Sequence, residues 1–195
     1  MTRKRRTWHP DFYYHIVSRG NRRDALFLDE RDFNAFMFIL HKTSQRHPFT
    51  VCSYCFMTNH YHLQLKSPIT SISTLMAIVN KRYASYYNNR YRLTGHVFEE
   101  RFFSEGIISE KGMLEVSRYI HLNPVKANII HDAAHYVWSS YRYYSQEDKY
   151  SLADNFFDPS PVLQIFTGNI SEQREKYRQY INMDENETRL SFVYK

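Results

Sequence analysis

Apolar and polar positions along the first two thirds of the chain follow two periods. Residues 12–19, FYYHIVSR, are aromatic and β-branched and run into the turn pair Gly20-Asn21, which predicts a strand. Over 29–45, Phe33, Phe36, Met37 and Leu40 fall at helical spacing, which predicts an amphipathic helix with Asp29 as its N-cap and Pro48 beyond its end. Residues 50–57 and 60–66 read as strands joined at Thr58-Asn59 in a hairpin. Leu75, Met76, Val79, Tyr83, Tyr86 and Tyr87 place a second helix over 71–90. A fourth strand is predicted over 102–108 and a third helix over 110–123, stopped by Pro124.

Strand, helix, strand, strand, helix, strand is the order of a ferredoxin-like α+β fold, an antiparallel sheet with helices on one face. Past residue 130 the pattern is irregular, with a linker at 158–161, DPSP, and one more helix over 171–180 capped by Ser171. These features divide the chain into a domain over 1–145, opening with a basic arm at 1–8, and an acidic C-terminal extension over 146–195.

Composition narrows the function. The chain has 195 residues and 43% hydrophobic content, enough for a core, which excludes global disorder. A net charge of +6 and pI of about 9.2 suggest an anionic partner, nucleic acid first. The last quarter is net acidic, so a polyanion surface belongs to the first three quarters. Cys52 and Cys55 are the only cysteines, which excludes a disulfide framework. With no long apolar run and no signal-peptide pattern, the expectation is a cytoplasmic protein, nucleoid-associated when bound to DNA, without a membrane partner. The abundant tyrosines and phenylalanines suit stacking on unpaired bases, and equally suit a core.

The most distinctive stretch is MTNHYHLQLK, residues 57–66. Side chains two apart on a strand share a face, so His60 and His62 project together and Tyr61 the other way. Two neutral imidazoles on one face suit a divalent cation, although the same spacing also occurs in hydrogen-bonded or surface histidines. Cys52 and Cys55 complete a nominal Cys2His2 set, but three residues apart on a strand they face opposite ways, which fits small buried side chains better than zinc.

This stretch resembles the signature of single-tyrosine HUH transposases, with Tyr61 at the bulky central position. RYIHLNPVKA at 118–127 is a second match, and HIVSRGNRRDALF, GHVFEERF and WSSYRYY extend it in order. The resemblance is to the IS200-like group, and the Asn-Pro motif with a long tail is most similar to REP-associated tyrosine transposases. It covers about residues 8–145 and implies the HUH endonuclease fold.

The resemblance implies that Tyr119 is the nucleophile and that His60, His62 and Asn123 hold Mg²⁺ or Mn²⁺. It also implies single-stranded, hairpin-bearing DNA as substrate, cut and rejoined through a 5′-phosphotyrosine. Independently of it, Tyr119 sits at the edge of the stripe formed by Met113, Val116 and Ile120, and Asn123 lies one turn on. A boundary tyrosine anchoring the helix and an asparagine C-cap are the ordinary readings of those positions.

Candidate DNA contacts are Lys81, Arg82, Arg90, Arg92 and Arg101, the first four interleaved with tyrosines, and the arm Arg3, Lys4, Arg5 and Arg6. Glu99, Glu100, His96 and His121 are further polar candidates, and an acidic cover from Asp154 onward is conceivable. Relatives act either as dimers that exchange tyrosines or as monomers, so monomer and homodimer both stand. The competing functions are a catalytically idle hairpin-binding protein and a water-using phosphodiesterase. The latter wants a carboxylate base beside the histidines, and MTNHYHLQLK offers none.

Overall fold

The computed structural model describes residues 7–145 and 156–183. Arg3, Lys4, Arg5 and Arg6 of the expected arm lie outside these residues, as does Asp154 of the expected cover.

Four strands, β1 (Tyr13–Arg19), β2 (Thr50–Met57), β3 (His60–Lys66) and β4 (Phe103–Ile107), form an antiparallel sheet in the order β2-β3-β1-β4. With α1 (Glu30–Ser44) and α2 (Ile72–Tyr91) as crossovers, this is the ferredoxin-like α+β arrangement. Asp29 caps α1 by accepting a bond from the Arg31 backbone N–H at 2.9 Å, as its position before an apolar repeat requires.

The two sheet faces meet different helices. Tyr61, Leu63 and Leu65 of β3, with Tyr14 and Ile16 of β1, face α1 and α2. There the Phe36 ring lies 4.6 Å from Tyr61 and 5.1 Å from Phe56, and the Tyr61 hydroxyl donates to Asn80 at 2.6 Å. Phe36 is fully buried, so Phe36→Ala removes roughly 3–5 kcal/mol of stability.

The opposite face, which carries His62, Gln64 and Ser53, is covered by α3 (Glu110–Lys126). Gln64 Nε2 donates to the Met113 carbonyl at 3.1 Å, and the Ser53 and Ser117 hydroxyls lie 2.8 Å apart. Helices on one face, the sequence expectation, therefore holds for α1 and α2 and not for α3. The reason is chemical: Ser53, His62 and Gln64 are polar but buried, with Ser53 and Gln64 partnered on α3 and His62 on β1.

Pro124 does not stop α3, which continues to Lys126. Proline withholds only its own N–H, and Ala127 N–H still reaches the Asn123 carbonyl at 3.0 Å. Asn123 thus stays helical, one turn beyond Tyr119.

The α2 tyrosines face inward. Tyr83 is fully buried, Tyr87 donates to the Ala25 carbonyl at 2.8 Å, and Tyr86 and Tyr91 donate to buried Asp32 at 3.0 and 2.7 Å. These rings are structural, so the core alternative applies to them.

The outer edge of β2 is occupied. Phe56 N–H reaches the Trp138 carbonyl at 3.0 Å, and Val51 N–H reaches the Phe156 carbonyl at 2.6 Å. α4 (Arg142–Ser145) follows the first of these segments. Residues 158–161, expected as a linker, pass instead into a short helix, α5 (Ser160–Leu163), whose Val162 and Leu163 are buried. α6 (Ile170–Asn182) begins with an Asn169–Glu172 capping box and packs Tyr177, Tyr180 and Ile181 into the same core. The described part of the extension therefore shares its core with the sheet.

Candidate active site

β3 is a central strand, so His62 is held between β2 and β1 and is 2% exposed. Its Nδ1 lies 3.1 Å from His15 Nε2 on β1, and its Nε2 is buried without a hydrogen-bond partner. His60 Nδ1 lies 2.7 Å from Asn59 Oδ1, and the Asn123 side chain bonds to the same imidazole. The two histidine rings stand 4.9 Å apart and nearly perpendicular, at 81°.

α3 brings Tyr119 over this pair. Its ring lies edge-on to His62 at 5.4 Å and to His15 at 5.7 Å, and the residue is 44% exposed. Lys126 Nζ lies 5.9 Å from the same ring. Asn123 Nδ2 is 3.5 Å from the Tyr119 carbonyl, the i,i+4 geometry of a continuous helix.

Burial pushes all three imidazoles toward neutrality. It brings His15 down to about 4 and His62 well below the ordinary histidine value, with His60, His15 and Arg19 adding to the effect on His62. His60 is lowered by burial first; the Asn123 bond opposes this and Arg19 reinforces it.

The donor set fits a divalent cation. A buried imidazole nitrogen without a partner is costly unless something binds it, and His62 Nε2 is such a nitrogen among the described residues. Among the described residues no three of His, Cys, Asp and Glu gather as a metal site; Asn123, whose side chain adjoins His60, is the nearby oxygen donor on α3. The cysteines are placed otherwise. Cys52 Sγ donates to the Gln64 carbonyl at 3.4 Å, Cys55 packs with Met57 and Ile120, and burial pushes both thiols up.

His121 points away from the pair. It is fully buried and bonds Tyr177 through Nδ1 and Ser140 through Nε2, both at 2.7 Å.

The expected DNA-contacting cations are elsewhere. Lys81, Arg82, Arg90 and Arg92 belong to α2 or its C-cap, across the sheet from α3. Arg90 is engaged by Asp29 at 2.5 Å and by Asp32 at 2.6 Å, and Arg82 donates to Thr43 Oγ1 at 3.0 Å. Both knit α2 to α1. Lys81 and Arg101 line a cleft of about 580 Å³ together with His96, Glu99 and Glu100.

The residues that do adjoin the pair escaped the sequence reading. His15 contacts His62 directly. Arg19 is the cross-strand partner of His60, and Arg23 shares a pocket of about 380 Å³ with His60 and Asn59. The available signal was the basic run Arg19 to Arg23 immediately after β1, which antiparallel pairing returns to the start of β3. Gly20 is required there, because a Cβ would meet the Asp24 carbonyl oxygen at 2.1 Å.

A ferredoxin-like sheet whose His-x-His strand faces a tyrosine-bearing helix matches the class that the two motifs resemble. A family model described as "Transposase IS200 like" matches residues 9–123, and the chain belongs to that family. The fold is similar to that of a REP-associated tyrosine transposase bound to a REP hairpin, with TM-score 0.64 and 16% identity over 87% of this chain and 93% of that one. A protein assigned as a transposase from Deinococcus radiodurans aligns with TM-score 0.44 and 16% identity over 61% of this chain and 95% of that one. No curated protein matches the chain by sequence. No described helix is long and apolar enough to cross a membrane.

Proposed function

We propose that this transposase cuts and rejoins single-stranded, hairpin-bearing DNA with Tyr119 as its nucleophile. The observation that carries the reading is the half-exposed Tyr119 ring standing against buried His62, whose Nε2 has no partner among the described residues.

A phenol is a weak nucleophile at neutral pH, and a phosphodiester anion repels attack. His60, His62 and Asn123 would hold a Mg²⁺ or Mn²⁺ ion, which supplies Lewis-acid polarisation of a phosphoryl oxygen. The contacts of His15 and Asn59 with the two Nδ1 atoms orient both rings. The Tyr119 oxygen attacks phosphorus and gives up its proton to solvent. An O–P bond forms, the P–O3′ bond breaks, and the 3′-oxygen leaves and takes up a proton. The 5′-phosphotyrosine conserves the phosphodiester energy, so a 3′-hydroxyl can reverse the step on another end without ATP. Arg19 and Arg23 supply positive charge beside the site. The hairpin-bound state of the structural neighbour supports hairpin DNA as the substrate class.

The test is incubation of labelled hairpin-bearing strands with Mn²⁺, followed by a denaturing gel. A protein-linked band lost in Tyr119→Phe supports the proposal. Binding without any cleavage points to an idle hairpin-binding protein, and cleavage that survives Tyr119→Phe points to a hydrolase using water.

A further inference from the structure

Part of the sheet face that carries the histidine pair is not covered by α3. Residues directly across neighbouring strands share a face, so Phe103, Val17 and His62 form one row across β4, β1 and β3. Glu105, His15 and Gln64 form the next row, and Arg19 with His60 lies beyond the first. α3 packs mainly on β2 and β3, and among the described residues the β4 end of the face stays open. Phe103 is 53% exposed there. Its ring lies edge-on to His15 at 6.3 Å, and His15 lies edge-on to Tyr119 at 5.7 Å. An aromatic strip therefore runs from the open end of the sheet to the candidate nucleophile.

The charges on this strip are asymmetric. Arg19 is exposed beside His60, with no carboxylate partner among the described residues, whereas Glu105 marks the opposite end. Phosphates are drawn to the Arg19 end and repelled from the Glu105 end, and an exposed ring between them offers a base a face to stack on.

We propose that this strip is a binding subsite for single-stranded DNA, with Phe103 stacking a base next to the cleaved position and Arg19 holding a backbone phosphate. The inference rests on the reading of Tyr119 as the DNA nucleophile and adds the path by which the strand reaches it.

The test uses fluorescein-labelled oligo(dT) of about 15 nucleotides, a length within the span of single-strand grooves. Binding is measured by anisotropy in the Tyr119→Phe background without divalent metal, so that no strand is cut. Phe103→Ala and Arg19→Gln should each weaken binding by about tenfold, with unchanged melting temperatures because both side chains are exposed. Phe103→Trp should retain affinity, and its added indole fluorescence should be quenched on binding.

Unchanged affinity in Phe103→Ala overturns the subsite, as does an indole that stays bright when DNA is bound. So does sedimentation showing that Phe103→Ala abolishes self-association through the β4 edge while leaving DNA affinity intact. The two readings fail separately. Loss of strand binding in Phe103→Ala without any protein–DNA adduct in the parent protein sinks the nucleophile and keeps the subsite. Adduct formation with unchanged binding in Phe103→Ala does the reverse.

Discussion

A buried imidazole nitrogen without a hydrogen-bond partner costs roughly 1–3 kcal/mol, and His62 Nε2 is such an atom. A cation bound at His62 Nε2 would repay that cost. Mn²⁺ should therefore raise the melting temperature of the parent protein, by an amount equivalent to about 2.7 kcal/mol when the ion is at a hundred times its dissociation constant. His62→Leu should melt near the parent without metal and show no rise with it; an undiminished rise in that variant would remove the histidine pair from the metal site. At this scale the sequence was partly legible. Strand alternation put His60 and His62 on one face, and the RYIHLNPVKA motif singled out Tyr119 from among many tyrosines. It could not show His15 beneath His62, because that contact depends on the register in which Val17 pairs with His62. Nor could it show that Arg90 is engaged by Asp29 and Asp32, residues far from it along the chain.

Among the elements, α3 matters most, since one surface carries Tyr119 and another is fastened to the C-terminal extension. The Ser117 hydroxyl lies 2.6 Å from that of Tyr177, and Arg118 donates to the carbonyls of Tyr180, Ile181 and Met183 at the end of α6. A cation there also complements the negative end of the helix dipole. Arg118→Ala should lower the melting temperature by several degrees and increase amide exchange in α6 before the sheet; unaltered protection of α6 would show that the clamp is dispensable.

The same interface makes a pH prediction. Burial holds His121 down to about 3, below the value near 6.5 of an unfolded histidine. Above about 6.5 both states are neutral and pH has no effect through this group. As pH falls below that value the unfolded state binds the proton first, so stability is lost progressively toward pH 3, by up to about 1.4 kcal/mol per unit. Urea unfolding between pH 7 and 5 should show this loss, and His121→Gln should flatten it; equal slopes would contradict the assignment.

α3 was also where the element order misled. The helix itself was plain from the Met113, Val116 and Ile120 stripe, and in the structure Ser109 caps it by accepting from Gly112 N–H. Its face of the sheet was not, because the polar residues Ser53, His62 and Gln64 do not announce a buried face until their partners on α3, β1 and α4 are known. Arg90→Met tests the other interface. It leaves Asp32 buried without its cation and should destabilise α1 against α2 while leaving metal binding intact, as thermal melts with and without Mn²⁺ would show.

For the whole molecule, the division of charge read from the sequence has a structural counterpart, but its location differs from the one expected. Arg82 and Arg90 of α2 are engaged by α1 and its N-cap, and the basic residues beside the histidine pair come from the end of β1 and the loop after it. Strand affinity should fall linearly with salt on logarithmic axes, and Arg19→Gln should reduce the slope by about 0.7, the value for one single-strand phosphate contact. An unchanged slope would mean that Arg19 faces solvent in the complex.

The mechanism turns on one covalent bond. After reaction of the protein with hairpin-bearing DNA and Mn²⁺, nuclease and protease digestion followed by mass spectrometry reads which side chain carries the nucleotide. Tyr119 bearing a 5′-phosphonucleotide is the predicted result. A nucleotide on any other residue, or cleaved strands with no modified peptide, would contradict it.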